Sequence, residues 1–120
     1  MIDTPMTEAL SRFLDVDVRR YQLISSNLAN IDTPGYRTRD LDFRAELHRA
    51  ATEGPEYASF APVARPVRGL IERPDGNNVS LERESLLLAD AQMKFNLGVQ
   101  LLRREFHLLS EAIHEGSASS

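Results

Sequence analysis

Near each end of the chain, apolar residues recur in alternating steps of four and three, and nothing else in the sequence constrains the fold as strongly. The first series is Leu10, Leu14, Asp17, Tyr21, Ile24, Leu28 and Ile31, apolar except at Asp17. The second is Leu81, Ser85, Leu88, Gln92, Phe95, Val99, Leu102, Phe106, Leu109 and Ile113, broken only by Ser85 and Gln92. Such steps place every member on one face of an α-helix and read as coiled-coil seams. Thr4 followed by Pro5 supplies an N-cap and a proline at the first helical position, where its missing N–H costs nothing. Ser80 caps the second helix, Glu82 and Glu84 place negative charge on its first turn, and Gly116 is the expected terminator.

Leu14 to Val18 also alternates with period two, as a strand would. The Asp15–Arg19 pair at i,i+4 and the longer period running through the segment favour helix. Pro5 to Ala29 would span roughly 37 Å and Leu81 to Ile113 roughly 50 Å, so the two helices cannot match end to end.

Between them, Pro55, Pro62, Pro66 and Pro74 alternate with Gly54, Gly69 and Gly76, a composition that blocks helix continuation and removes backbone donors. Asp42 is placed to cap a short helix from Phe43 to about Ala50, and Arg65 to Arg73 suits a small hairpin or strand. The expected fold is mainly α: long N- and C-terminal helices packed as a coiled-coil-like hairpin around an irregular Pro/Gly-rich middle segment. Residues 1–51 form the first helix, a turn and the short helix, residues 52–79 the loop, and residues 80–120 the second helix and tail. At 120 residues these belong to one domain.

Composition narrows the function. A net charge of −4 argues against a general nucleic-acid binder, which needs a cationic face to displace counterions. Lys94 is the only lysine, so the remaining cations are arginines suited to bidentate carboxylate pairing. The absence of cysteine removes disulfides, thiol nucleophiles and thiolate metal sites. The N-terminus lacks a basic start followed by an apolar run, so no cleavable signal peptide is expected, and no segment approaches the ~20 apolar residues of a membrane span.

The first seam ends in "SSNLANIDTPGYRTRDLDF", residues 25–43. Pro34 presets φ for the second turn position and Gly35 accepts the positive φ of the third, so a type II turn reverses the chain, and Tyr36 offers a ring and a hydroxyl beyond it. Asn27, Ala29, Asn30, Thr33, Pro34, Gly35 and Tyr36 match every fixed position of the pattern N-x-A-N-x-x-T-P-G-Y. That string resembles the signature of the bacterial flagellar axial proteins. The "RDLDF" continuation, the short chain and "DGNNVSLERE" before a heptad helix are similar to the proximal rod members of that family. The resemblance covers the first and last ~45 residues; the middle carries little of it.

The resemblance implies a structural subunit of the flagellar basal-body rod, in the periplasm, exported by the flagellar type III apparatus without a cleaved signal. Its partners would be other rod proteins and copies of itself, with no nucleic acid and no membrane insertion. Family members pack their terminal helices together as the axial part of a helical tube.

The seams supply a physical reason for assembly. A hairpin of unequal helices buries one face of each and leaves the rest wet, and Leu86, Leu87, Met93, Leu97, Leu101 and Leu108 widen the apolar surface beyond what one partner helix covers. Head-to-tail contacts that do not close generate filaments. Asp17 in the seam is expected either to meet an arginine, Arg103, Arg104 or one on an adjacent subunit, and so fix register, or to lie at a wet edge. Arg37, Arg39 and Arg44 interleave with Asp40 and Asp42 as a mixed-charge strip, either a solvated face or a source of links between subunits.

His107, Glu111 and His114 share a helix face, but metal sites want a supporting second shell and firmly fixed ligands, and surface histidines on an exposed helix are far commoner; Asp75-Gly76-Asn77-Asn78 lacks the spaced ligands of a calcium loop and reads as a turn. No nucleotide, hydrolase or metalloprotease motif is present. A non-enzyme without cofactor is expected. The competing reading is a soluble helical adaptor or secretion chaperone folding as a closed hairpin; a third, an enzyme accessory domain, has only the histidines in its favour. Cooperative, concentration-independent unfolding would favour the adaptor.

Overall fold

Thr4 opens the first helix by a reciprocal cap: the Thr7 N–H donates to Thr4 Oγ1 at 3.1 Å while the Thr4 N–H donates to Thr7 Oγ1 at 2.8 Å. In this computed structural model, which describes residues 4–59 and 63–118, α1 then runs Pro5–Ala29. The Leu14–Val18 alternation lies inside it. After the turn come a two-residue strand β1 (Arg39–Asp40), helix α2 (Phe43–Glu53), a 3-10 helix (Gly54–Ser59), strand β2 (Arg65–Pro66) and α3 (Leu81–Ala118). The protein is mainly α, two long terminal helices with a short irregular middle, and measures 72 × 25 × 19 Å. Residues 60–62 of the middle segment and the last two residues of the tail lie outside the described residues.

Asp42 caps α2 through the Ala45 N–H at 3.2 Å, and the helix continues beyond Ala50 to Glu53 before Gly54 ends it at φ 63°. Strand structure between Arg65 and Arg73 reduces to an antiparallel bridge, Arg39 opposite Pro66 and Asp40 opposite Arg65. Proline without an N–H is tolerated there because the bridge is an edge. Gly116 does not stop α3, which runs on to Ala118. Glycine terminates a helix by adopting positive φ, and Gly116 is absent from the positive-φ glycines.

The buried apolar cluster is small: Val16, Leu41, Ala50 and Tyr57, with Leu23, Phe43 and Leu47 packed against it. It joins α2 and the 3-10 helix to the middle of α1, and the Phe13 and Phe43 rings meet edge to face at 5.4 Å. Arg19 lies 4.6 Å over the Tyr57 ring and donates to the Tyr57 carbonyl at 2.9 Å. The Tyr57 hydroxyl donates to Glu46 Oε2 at 2.8 Å, and burial followed by that bond pushes the phenol up to about 12. α1 and α3 pack antiparallel, with Asn27 beside Glu84 and Leu14 beside Gly98, so the last turns of α3 extend past the start of α1.

Candidate functional site

The turn at the end of α1 is held by asparagines from two directions. Tyr36 N–H closes on the Thr33 carbonyl at 3.2 Å with Gly35 at φ 75°, and Asn30 Nδ2 caps the Ser26 carbonyl at 2.8 Å. Asn27, 1% exposed, uses its whole amide: Nδ2 donates to the Arg39 carbonyl (2.8 Å) and Glu84 Oε2 (3.2 Å), and Oδ1 accepts from the Tyr36 hydroxyl (3.0 Å) and the Arg39 N–H (3.2 Å). One side chain thereby fixes the angle at which the chain leaves the helix, because four directional bonds leave it no alternative rotamer. Ala29 and Pro34 are exposed.

The segment before α3 closes the same turn from the other side. Asn77 Nδ2 donates to the Asn30 and Thr33 carbonyls at 2.9 and 2.8 Å, and its Oδ1 accepts from the Val79 N–H at 2.8 Å. The Gly35 N–H donates to the Asp75 carbonyl at 2.8 Å, and a Cβ on Gly76 (φ 87°) would sit 3.3 Å from the Gly35 Cα. Two glycine turns therefore pack back to back, and Arg73 bonds the Ile31 carbonyl beside them. Asn78 completes the clamp, its Oδ1 accepting from the Thr38 N–H at 2.6 Å. From the sequence Asp75 to Asn78 read as a plain turn and Glu84 as first-turn charge, with Thr38 not singled out; the available signal for the clamp was the run of polar residues directly before a helix cap.

The mixed-charge strip divides. Asp40 turns inward, accepting both forks of Arg20 at 3.1 and 3.2 Å and Arg83 at 2.8 Å, while Arg83 also reaches Glu84 at 2.7 Å. It is an internal strut between α1, β1 and α3, neither a solvated charge nor one left over for a neighbour. Asp42 is spent as a cap; Arg37 pairs with Glu72 at the surface (3.2 Å); Arg39 reaches the Ala64 carbonyl (3.4 Å); Arg44 is exposed.

Of the first seam, Ile24 is buried and Leu10, Leu14, Leu28 and Ile31 are half-buried, Ile31 lying in the turn beyond the end of α1, whereas Tyr21 is 44% exposed. On α3, Leu88, Val99, Leu102 and Leu109 are half-buried, and Phe95, Phe106 and Ile113 remain exposed along with Ser85 and Gln92. The face turned to α1 is one residue earlier: Glu84, Ala91 and Gly98 are its buried members. A Cβ at Gly98 would lie 2.7 Å from Leu14 Cδ2, so closest approach happens where α3 has no side chain. The recurrence of small residues seven apart, Ala91 and Gly98, was the legible signal for this register.

Asp17 does not meet Arg103 or Arg104, because the antiparallel register carries both beyond its level and leaves them exposed. It is also not at a wet edge: it is 1% exposed and its Oδ1 has no hydrogen-bond partner among the described residues. Burial pushes its carboxyl up from 3.8 to about 6, Lys94 and Arg20 opposing and Asp90 reinforcing. It lines a groove of about 380 Å³ between α1 and α3, with Tyr21, Gln92, Phe95 and Asn96.

His107 pairs with Glu111 at 3.2 Å, both exposed, and the described residues contain no group of three or more His, Asp or Glu able to hold a metal. None of their helices is long and apolar enough to cross a membrane.

Residues 19–37, which span the end of α1 and the clamped turn, match the model of the flagella basal body rod protein family. The chain is 36% identical over 106 residues to the flagellar basal body rod protein FlgB of Cereibacter sphaeroides (strain ATCC 17029 / ATH 2.4.9), covering 78% of this chain and 82% of that one. It is 27% identical over 123 residues to FlgB of Salmonella typhimurium and 26% over 123 to FlgB of Escherichia coli, in both cases covering 87% of this chain and 89% of the relative. With a helical pair closed by this asparagine-held turn and identity at that level over most of its length, the chain belongs to the FlgB family of flagellar basal body rod proteins.

Proposed function

We propose that the protein is a non-enzymatic structural subunit of the proximal rod of the flagellar basal body, assembling with copies of itself and with other rod proteins into a helical tube through its terminal helices. The observation that carries this reading is the unequal distribution of apolar surface. Leu86, Met93, Leu97, Leu101, Leu108 and Ile113 are 73, 64, 51, 39, 48 and 56% exposed on a helix that outruns its partner. At about 25 cal/mol per Å² of apolar area covered, each such side chain offers ~1–2 kcal/mol to an assembly contact before ordering costs, and several together add substantially to what the chain's own small core supplies. The half-buried seam residues Leu10, Leu14, Leu28, Ile31, Leu88, Val99, Leu102 and Leu109 then form the inner contact. Tyr21, Phe95, Phe106 and Ile113 are the part of the seam completed by neighbours.

On this reading the chain is delivered to the periplasm by the flagellar type III export apparatus without signal cleavage, and no cofactor takes part. Deleting the gene should abolish swimming and leave basal bodies without a complete rod in electron micrographs. Normal swimming with intact rods would overturn the assignment.

A further inference from the structure

We propose that the groove holding Asp17 is a socket for Arg104 of a second copy of this chain. This inference rests on the rod-subunit reading and names the residues that join one copy to the next. Asp17 lines the groove, is 1% exposed, and its Oδ1 is unpartnered among the described residues, so the groove wall holds an acceptor that these residues do not satisfy. The cations nearest to it are committed elsewhere. Arg20 is forked onto Asp40 at 3.1 and 3.2 Å, and Lys94 is bound to Asp90 at 3.0 Å and lies over the Phe43 ring at 4.3 Å.

The groove's other walls suit a guanidinium. Tyr21 and Phe95, 44 and 43% exposed, offer ring faces for stacking, and the amides of Gln92 and Asn96 offer carbonyl acceptors. A planar cation with five donors can satisfy the carboxylate and the amides together, which a water or an ammonium on a longer stem does less well.

The matching cation lies on the opposite flank of α3. Leu97, Leu101, Arg104 and Leu108 follow one another in steps of four, three and four, forming a stripe in which Arg104 is the polar member. The three leucines are 51, 39 and 48% exposed, and among the described residues Arg104 has no hydrogen-bond or ion-pair partner. At ~100° per residue the stripe and the groove side of α3 are roughly half a turn apart, so they cannot contact each other within one chain. A copy whose stripe fills a neighbour's groove keeps its own groove open for the next. The contact is therefore heterologous and propagates. Arg104 is ~20 Å along α3 from Ala91, the level of the groove, so parallel copies joined this way are staggered along the axis.

The chain has no cysteine, which permits a direct test. Cells lacking the native gene would carry Tyr21→Cys with Leu101→Cys, both on exposed rims, and be oxidised before basal bodies are isolated and run on a non-reducing gel. Disulfide-linked dimers and longer ladders are expected from the double variant and from neither single one. Swimming cells that give no ladder, a dimer from either single variant, or linkage of Tyr21→Cys to a different rod protein would overturn the pairing while leaving the rod role intact; intact rods in the deletion strain would remove both. Independently, self-association of the purified chain measured by sedimentation should weaken at least tenfold in Asp17→Asn and in Arg104→Gln, with the double variant no weaker than either. Additive losses, or an Asp17→Asn chain that associates as well as the parent, would refute the charge pair.

Discussion

Replacing Asp17 by asparagine should make the isolated chain more stable, and the pH dependence of the gain identifies its cause. A carboxyl raised from 3.8 to about 6 by burial keeps its proton in the folded state at pH values where the unfolded chain has released it. Below pH ~3 both states are protonated and the group costs nothing. As pH rises from 4 to 6 the folded state must either hold the proton or ionise without a partner. Stability is lost through that window and levels off above it at a deficit of about 3 kcal/mol. Against the ~5–15 kcal/mol of a typical domain this is a large fraction. Asparagine has the same shape and does not ionise, so the gap between variant and parent should be near zero at pH 3, largely open by pH 6 and saturated by pH 7.5. Urea midpoints at low protein concentration, taken at four pH values with an unchanged m-value, measure it; the full gap corresponds to about 2 M urea for a chain of this size. The titratable groups other than residue 17 are common to both proteins and cancel in the difference. A pH-independent gap, or a parent more stable than the variant at pH 7.5, would show that Asp17 is ionised and satisfied in the single chain, and the socket would lose its motive.

Three further outcomes follow from the geometry. Asn77→Ala removes two bonds to the Asn30 and Thr33 carbonyls and one to the Val79 N–H, and thermal melts should show a loss of about 2–4 kcal/mol, with Asn27→Ala in the same range. Gly98→Val drives a branched side chain into Leu14 and Phe13, and denaturant unfolding should register a cost of about 2 kcal/mol or more; retained stability would mean the α1–α3 spacing is looser than described. Tyr57→Phe strips Glu46 of its 2.8 Å donor and should cost ~1–3 kcal/mol at pH 7. It should also remove the parent's loss of stability between pH 10 and 12, where a phenol held at about 12 keeps its proton in the folded state and releases it in the unfolded one, a loss followed by unfolding at alkaline pH.

The helices and their caps were legible because they obey local rules: Thr4-Pro5, Asp42 and Ser80 each serve a donor within three residues of themselves. The turn was legible for the same reason, Gly35 being needed at positive φ. What the sequence hid is whatever depends on residues far apart in the chain. Asp40 sits in a strip that looks solvated until Arg20 and Arg83, 20 and 43 residues away, are folded against it. The register of α3 was hidden differently. Phe95, Phe106 and Ile113 satisfy the helical period as well as Ala91 and Gly98 do, so period alone could not choose between adjacent stripes. Packing chose the smaller residues, since interaxial distance falls where side chains are absent, and the larger ones were left outside.

That displacement of register links the fold to assembly. Polar contacts are directional and short-ranged, and here they are concentrated at one end of the hairpin, where Asn27, Asn77, Asn78, Asp40 and Glu84 define a single geometry without outside help. Apolar contacts are non-directional and scale with area, and the chain leaves them unsatisfied along the outer faces of α3. On the rod-subunit reading proposed above, a chain built this way reaches its bend and helix register alone and gains further buried surface from neighbours. Had the larger residues faced α1, the isolated hairpin would have buried them, and the drive to add the next subunit would have been weaker by the same area.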